Sequence, residues 1–150
     1  MRNSARAYLL DVNVLVALFD SAHVHHGRAT KWFLANHRSG WATCPITENG
    51  LIRVTSALSY PNLQITPGQA ADSLHQLAKH YVLSHQFWED NVSLTDKNLF
   101  DLGQLTSSKQ TTDTYLAGLA FHKGAKLATL DAALAWKGVR GAGGDLIERI

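Results

Sequence analysis

Short apolar runs of strand length alternate with segments of helical period along this 150-residue chain, and that alternation limits the possible folds more than any other feature. Tyr8-Leu9-Leu10 is an apolar triplet broken by Asp11, and a second apolar stretch runs from Val12 to Phe19; a buried strand feeding a helix is the natural parse. Residues 26–37 carry Ala29, Trp32, Phe33 and Ala35 at roughly helical spacing, and residues 41–44 read as a second strand stopped by Pro45. Leu51, Ile52, Val54, Ala57 and Leu58 predict a helix over 46–58. Thr66-Pro67-Gly68-Gln69 has the capping-box pattern with proline at the first helical position, so a helix starts there and runs to about His80. Residues 87–94 read as a strand, 96–102 as a short helix and 103–109 as loop. Tyr115, Leu116, Leu119 and Ala120 form one stripe of a helix over 112–122, with Gly124 as its stop signal. Lys126–Thr129 is a third clear strand, and residues 146–150 a last one.

Strands alternating with helices imply an α/β fold, a three-layer α/β/α arrangement with a mostly parallel central sheet. There is no internal repeat, low-complexity run or long linker, so residues 1–150 are expected to form one domain. The architecture carries a functional expectation, because open α/β sheets bind ligands at the carboxyl ends of their strands.

Acidic residues fall at those ends. Asp11 directly follows the first strand, and Asp131 comes two residues after Thr129. Glu48 lies in the first turn of the helix after the second strand, and Asp113 begins the 112–122 helix. If these helices start at one edge of the sheet, four carboxylates from distant parts of the chain converge there. Like charges at close range raise each other's pKa, and no Lys or Arg stands within three residues of Asp11, Glu48 or Asp131. A magnesium or manganese ion resolves that conflict, since hard cations prefer carboxylate and water oxygens. Such ions lower the pKa of a bound water, orient it and stabilise charge on a phosphodiester, so the pattern points to metal-assisted phosphodiester hydrolysis. Each acid also has an ordinary reading. Asp11, Asp113 and Asp131 are suited to capping, and Glu48 to the positive end of a helix dipole. An aspartate between two strongly apolar runs, as Asp11 is, is harder to explain as surface.

Composition excludes several classes. Cys44 is the only cysteine, so no intramolecular disulfide can form and a reducing cytoplasm fits. The N-terminal apolar stretch is interrupted by Asp11 and Asn13 and lacks a small-residue cleavage site, so neither export nor membrane insertion is expected. The net charge is only +2, but with four of the 12 acids in one pocket the remaining surface is dominated by the 14 Lys and Arg, which suits a polyanion such as RNA. His23, His25 and His26 lack the cysteine companions of a zinc site, and Cys44 has no general-base motif beside it; surface or packing roles are expected of all four. Trp32, Trp41, Trp88 and Trp136 read as core or interface residues. Arg53, Lys97 and Lys109 are open to two readings, RNA phosphate contacts or solvated charge.

The segments LLDVNVLVAL (9–18), CPITENGLIRV (44–54), TTDTYLAGLA (111–120) and LATLD (127–131) together resemble the PIN-domain family, and within it the VapC-type toxins of toxin–antitoxin pairs. The resemblance spans nearly the whole chain. It implies a parallel sheet between helices and a magnesium- or manganese-dependent endoribonuclease. Asp11 matches the family's first metal-binding aspartate, Glu48 its helix-borne glutamate, Asp113 its third acid and Asp131 its more variable fourth. Asn13 and Thr112 occupy positions that in such proteins often support the acids by hydrogen bonds. Leu130 before Asp131 and Ala132-Ala133 after it depart from the aromatic and charged neighbours common in relatives. The resemblance also implies a homodimer and a cognate VapB-like antitoxin whose basic side chain masks the acids. The rival reading is a catalytically idle PIN-like module that holds RNA or protein. A third, another phosphohydrolase on a doubly wound sheet, lacks both a Walker-type loop and an Asp at position 13.

Overall fold

The computed structural model describes residues 6–150, so residues 1–5 of the span expected to form one domain lie outside it. Its centre is a five-stranded sheet of β1 (Tyr8–Leu10), β2 (Trp41–Thr43), β3 (His85–Phe87), β4 (Lys126–Thr129) and β5 (Ile147–Arg149), in the order β3-β2-β1-β4-β5. Every pair is parallel. The helices are α1 (Val12–Phe19), α2 (His26–Asn36), α3 (Pro45–Thr55), α4 (Pro67–His80) and α5 (Thr111–His122).

Alternating side chains along each strand build the two outer layers. Leu10, Trp41 and Ala128 face Val14 and Leu15 of α1, Phe33 of α2, Leu51 of α3 and Leu74 of α4. Leu9, Ala42 and Leu127 face Leu116, Leu119 and Ala120 of α5 on the other side. The three-layer expectation is thereby met. The strand order explains the segregation: the chain winds from β1 to β3 in one direction, then crosses back to β4 on the far side of β1. Right-handed crossovers in opposite directions place their helices on opposite faces. The reversal puts the topological switch point, where open sheets of this kind bind ligands, at the carboxyl ends of β1 and β4.

Helix boundaries follow local chemistry. Thr66 and Gln69 exchange side-chain-to-backbone hydrogen bonds in a capping box, with Pro67 at N1 of α4. Beyond α5 the chain turns through Gly124 at φ +68°, a left-handed conformation that favours glycine. Gly50 serves a different purpose: a Cβ there would stand 2.5 Å from Val12 Cγ2, so only glycine lets α1 and α3 pack this closely.

Between β3 and α5 the structure departs from expectation. The third strand is residues 85–87, not 87–94, and 96–102 is turn with a single 3-10 turn at Leu102–Gln104. Seven consecutive residues of α5, Thr114 to Ala120, are buried, so this helix needs cover on its outer side as well. The apolar residues read as strand and helix supply it: Trp88, Val92, Leu94, Leu99 and Phe100 pack on the α5 cluster. Hydrogen bonds from Asp101 N to Gly138 O (2.8 Å) and Arg140 N to Leu99 O (2.8 Å) tie this segment to the one before β5. Among the described residues no helix is long and apolar enough to cross a membrane.

Candidate metal centre

Asp11 closes β1 and opens α1. Its backbone N–H donates to Ala128 O (3.0 Å), extending the β1–β4 ladder by one residue, and its Oδ1 accepts from Val12 N at 2.8 Å. Oδ2 accepts from the Thr129 hydroxyl at 2.8 Å. The carboxylate is therefore locked at both oxygens in a site only 7% exposed. Its pKa is raised, first by burial and further by the charge of Asp131, with the bonds from Thr129 and Val12 opposing.

Thr129 is the hub of this corner. Its hydroxyl has one proton, given to Asp11, and its two lone pairs accept from Asn13 Nδ2 (3.2 Å) and Asp131 N (3.1 Å). Asn13, in the first turn of α1, accepts from Leu130 N through Oδ1 (3.1 Å) and so clamps the exit of β4. Asn13 reaches the acids only through Thr129. Asp131 is exposed, and its Oδ1 accepts from Ala133 N (2.9 Å) in a tight turn; no helix follows for it to cap.

Asp113 lies half-buried in the first turn of α5. Burial, then the charges of Asp11 and Asp131, push its pKa up to about 6. Three of the four sequence-identified acids thus share one electrostatic site. Neighbouring Thr112 is exposed and makes no hydrogen bond to an acid among the described residues.

Glu48 is engaged elsewhere. The fully buried Thr43 hydroxyl, at the end of β2, donates to its Oε2 at 2.7 Å. His85 Nε2 lies 2.9 Å from the same hydroxyl oxygen. Since the hydroxyl proton is committed to Glu48, Nε2 of His85 is the protonated nitrogen and donates to Thr43. The pKa of His85 is lowered by burial, with the charge of Glu48 pulling the other way, which agrees with a neutral imidazole.

Sequence reasoning overlooked Thr129, Thr43 and His85. The signal for the two threonines was present, since each is a hydroxyl on the last residue of a parallel strand, close in sequence to a candidate acid. His85, on a polar edge strand, gave none.

The donor set suits a hard divalent cation. Asp11, Asp113 and Asp131 repel one another, and the ion pairs among the described residues, Arg6–Asp145 and Lys126–Glu148, involve none of them. As the side chains stand, no three His, Cys, Asp or Glu groups among the described residues are gathered closely enough to hold a metal ion. Cys44 offers no alternative chemistry, for burial pushes its thiol up to about 11.

The model of the PIN domain matches residues 8–138. Ribonuclease VapC44 of Mycobacterium tuberculosis is 42% identical over 135 residues, covering 89% of this chain and 92% of that protein. Ribonuclease VapC39 of the same organism is 41% identical over 127 residues (85% and 90%), and ribonuclease VapC38 is 42% identical over 129 (84% and 86%). The matched span runs from β1 past the Asp131 turn and takes in every element that carries one of the acids, so the chain belongs to the PIN-domain family and, within it, to the VapC group.

Proposed function

We infer that the chain is a divalent-metal-dependent endoribonuclease that hydrolyses RNA phosphodiesters and acts as the toxin of a toxin–antitoxin pair. The observation that carries this reading is the carboxylate pair Asp11 and Asp113 at the topological switch point, both raised by burial and by the charge of Asp131, with no cationic side chain paired to any of the three among the described residues. The relatives named ribonucleases support the choice of RNA.

Asp11 and Asp113, with Glu48 and Asp131, are the residues that would hold Mg2+ or Mn2+. When bound, such an ion acts as a Lewis acid toward a phosphoryl oxygen and acidifies a coordinated water. The chain supplies the rest. Thr129 and Val12 N hold Asp11 in one orientation, so its oxygens need no reorganisation during reaction. Thr43, itself oriented by His85, holds the Glu48 carboxylate. Asp113, at about 6, retains a proton in some molecules near neutrality and yields it when positive charge enters the site. No covalent intermediate is needed, since the buried Cys44 thiol is no nucleophile. A VapB-like antitoxin and a second copy of the chain are the partners this reading carries, the antitoxin masking the acids with a basic side chain.

The test is cleavage of structured RNA by antitoxin-free protein with magnesium or manganese, beside Asp11→Asn and Asp113→Asn. Cleavage that stops in EDTA and in both variants is expected. Cleavage that persists in excess EDTA, or equal cleavage by the variants, overturns the mechanism. Binding without cleavage would instead favour the idle PIN-like module.

A further inference from the structure

Arg53 is left unexplained by the catalytic reading. It is exposed in the last turn of α3 and has no acidic partner among the described residues. It borders an open cavity of about 440 Å3 whose other walls include Val12, Ile46, Asn49, Gly50 and Thr112. Three of these walls are chain neighbours of site acids: Val12 follows Asp11, Asn49 follows Glu48 and Thr112 precedes Asp113. The cavity is therefore tied to the acids by the backbone of three separate helices. Gly50 belongs to the same wall, where α1 and α3 approach each other closely at Val12. A second cavity of about 500 Å3 shares Ile46 and Thr112 as walls and leads away toward Val92 and Leu94. The two form one groove past the first turn of α5.

Within the groove the chemistry is divided. Val12 and Ile46 offer apolar surface, while Asn49 and Arg53, four residues apart, project from one face of α3. The second cavity has Asp90 in its wall, so the cationic end of the groove is the Arg53 end. A planar guanidinium matches a phosphate with paired hydrogen bonds, and a carboxamide both donates to and accepts from a base edge or 2′-hydroxyl.

We propose that this cavity is the binding subsite for the nucleotide flanking the scissile phosphodiester of a single-stranded RNA segment, with Arg53 on its phosphate and Asn49 on its sugar or base edge. The assignment rests on the endoribonuclease reading. It places the RNA strand along α3 from Ile46 to Arg53 and past the first turn of α5, beside the helix starts that carry Asp11, Glu48 and Asp113.

The test uses Asp11→Asn as a common non-cleaving background and a fluorescent single-stranded RNA, with Kd measured by anisotropy across a salt series. Arg53→Gln in that background weakens binding by about tenfold and lowers the slope of log affinity against log salt by about 0.7, one phosphate contact on a single strand. Arg53→Lys recovers part of the affinity and all of the slope, because charge returns without the fork. Arg38→Gln serves as control: Arg38 precedes β2, at the opposite edge of the sheet from the acids, and its loss leaves slope and affinity in place. Unchanged affinity and slope in Arg53→Gln, or an equal loss in Arg38→Gln, overturns the subsite and leaves the ribonuclease reading standing. Absence of RNA binding in every protein, with no cleavage by the unsubstituted chain, overturns both.

Discussion

Replacing Asp113 by Asn tests the acidic trio without reference to any activity. The carboxyl has a pKa of about 6 in the folded protein against an ordinary 3.8. For an acid raised in this way, the folded state is favoured while the group is protonated. Its contribution is fully present below the unfolded value and is lost as pH rises through the folded one, a window from about pH 4 to 6. A shift of about two units corresponds to roughly 3 kcal/mol at full weight, and solvent screening of a half-buried group reduces this to about 1.5 kcal/mol. Asparagine keeps the shape and removes the charge. Asp113→Asn therefore melts about 3–6 °C above the unsubstituted chain at pH 8 in EDTA and level with it at pH 4. Adding Mg2+ at pH 8 raises the melting temperature of the unsubstituted chain and closes the gap, because an ion that binds only the folded state stabilises it by mass action. Thermal denaturation followed by circular dichroism, at two pH values with and without Mg2+, measures all of this. An Asp113→Asn protein that is less stable by the same amount at pH 4 and pH 8 would refute the reasoning, for the carboxyl would then be a structural hydrogen-bonding group and not a repelled charge.

Thr129→Val removes the hydroxyl that donates to Asp11 Oδ2 and accepts from Asn13 and Asp131 N, and urea denaturation at pH 7 should show a loss of roughly 1–3 kcal/mol, the cost of leaving buried polar groups unpaired. Thr43→Val frees Glu48 from its donor, and Mn2+ affinity measured by calorimetry should fall by roughly 10–100-fold, as for other losses of a ligand's supporting bond; unaltered affinity would remove Glu48 from the ligand set. Gly50→Ala sets a methyl 2.5 Å from Val12 Cγ2 and should destabilise by about 1–3 kcal/mol, with Val12→Ala in the same chain restoring much of the loss in denaturant melts.

Periodicity and punctuation carried most of the fold. The apolar triplet before Asp11, the capping box at Thr66 and the stripe on α5 are local patterns, so strand and helix positions around them could be read directly. The same patterns misled between residues 88 and 102, because an apolar residue that covers a buried helix looks like one that enters a sheet. Whether Trp88, Val92 and Leu94 serve α5 or the ladder depends on what lies over that helix, which is a long-range property. The acids divide in the same way. A strand ending in a carboxylate is visible along the chain, and the parallel sheet brings Asp11 to the end of β4 as expected.

What the chain could not display was partnership. That Thr129 unites Asp11, Asn13 and Asp131 depends on the register Leu10 to Ala128, and that Thr43 holds Glu48 beneath His85 depends on the register Trp41 to His85. The sequence by itself determined the layers and the sheet direction, because these follow from short-range periodicity. Only the tertiary structure decided which carboxylates face one another and which is tethered aside, because a hydrogen bond across strands is set by a pairing register that no local stretch of residues records.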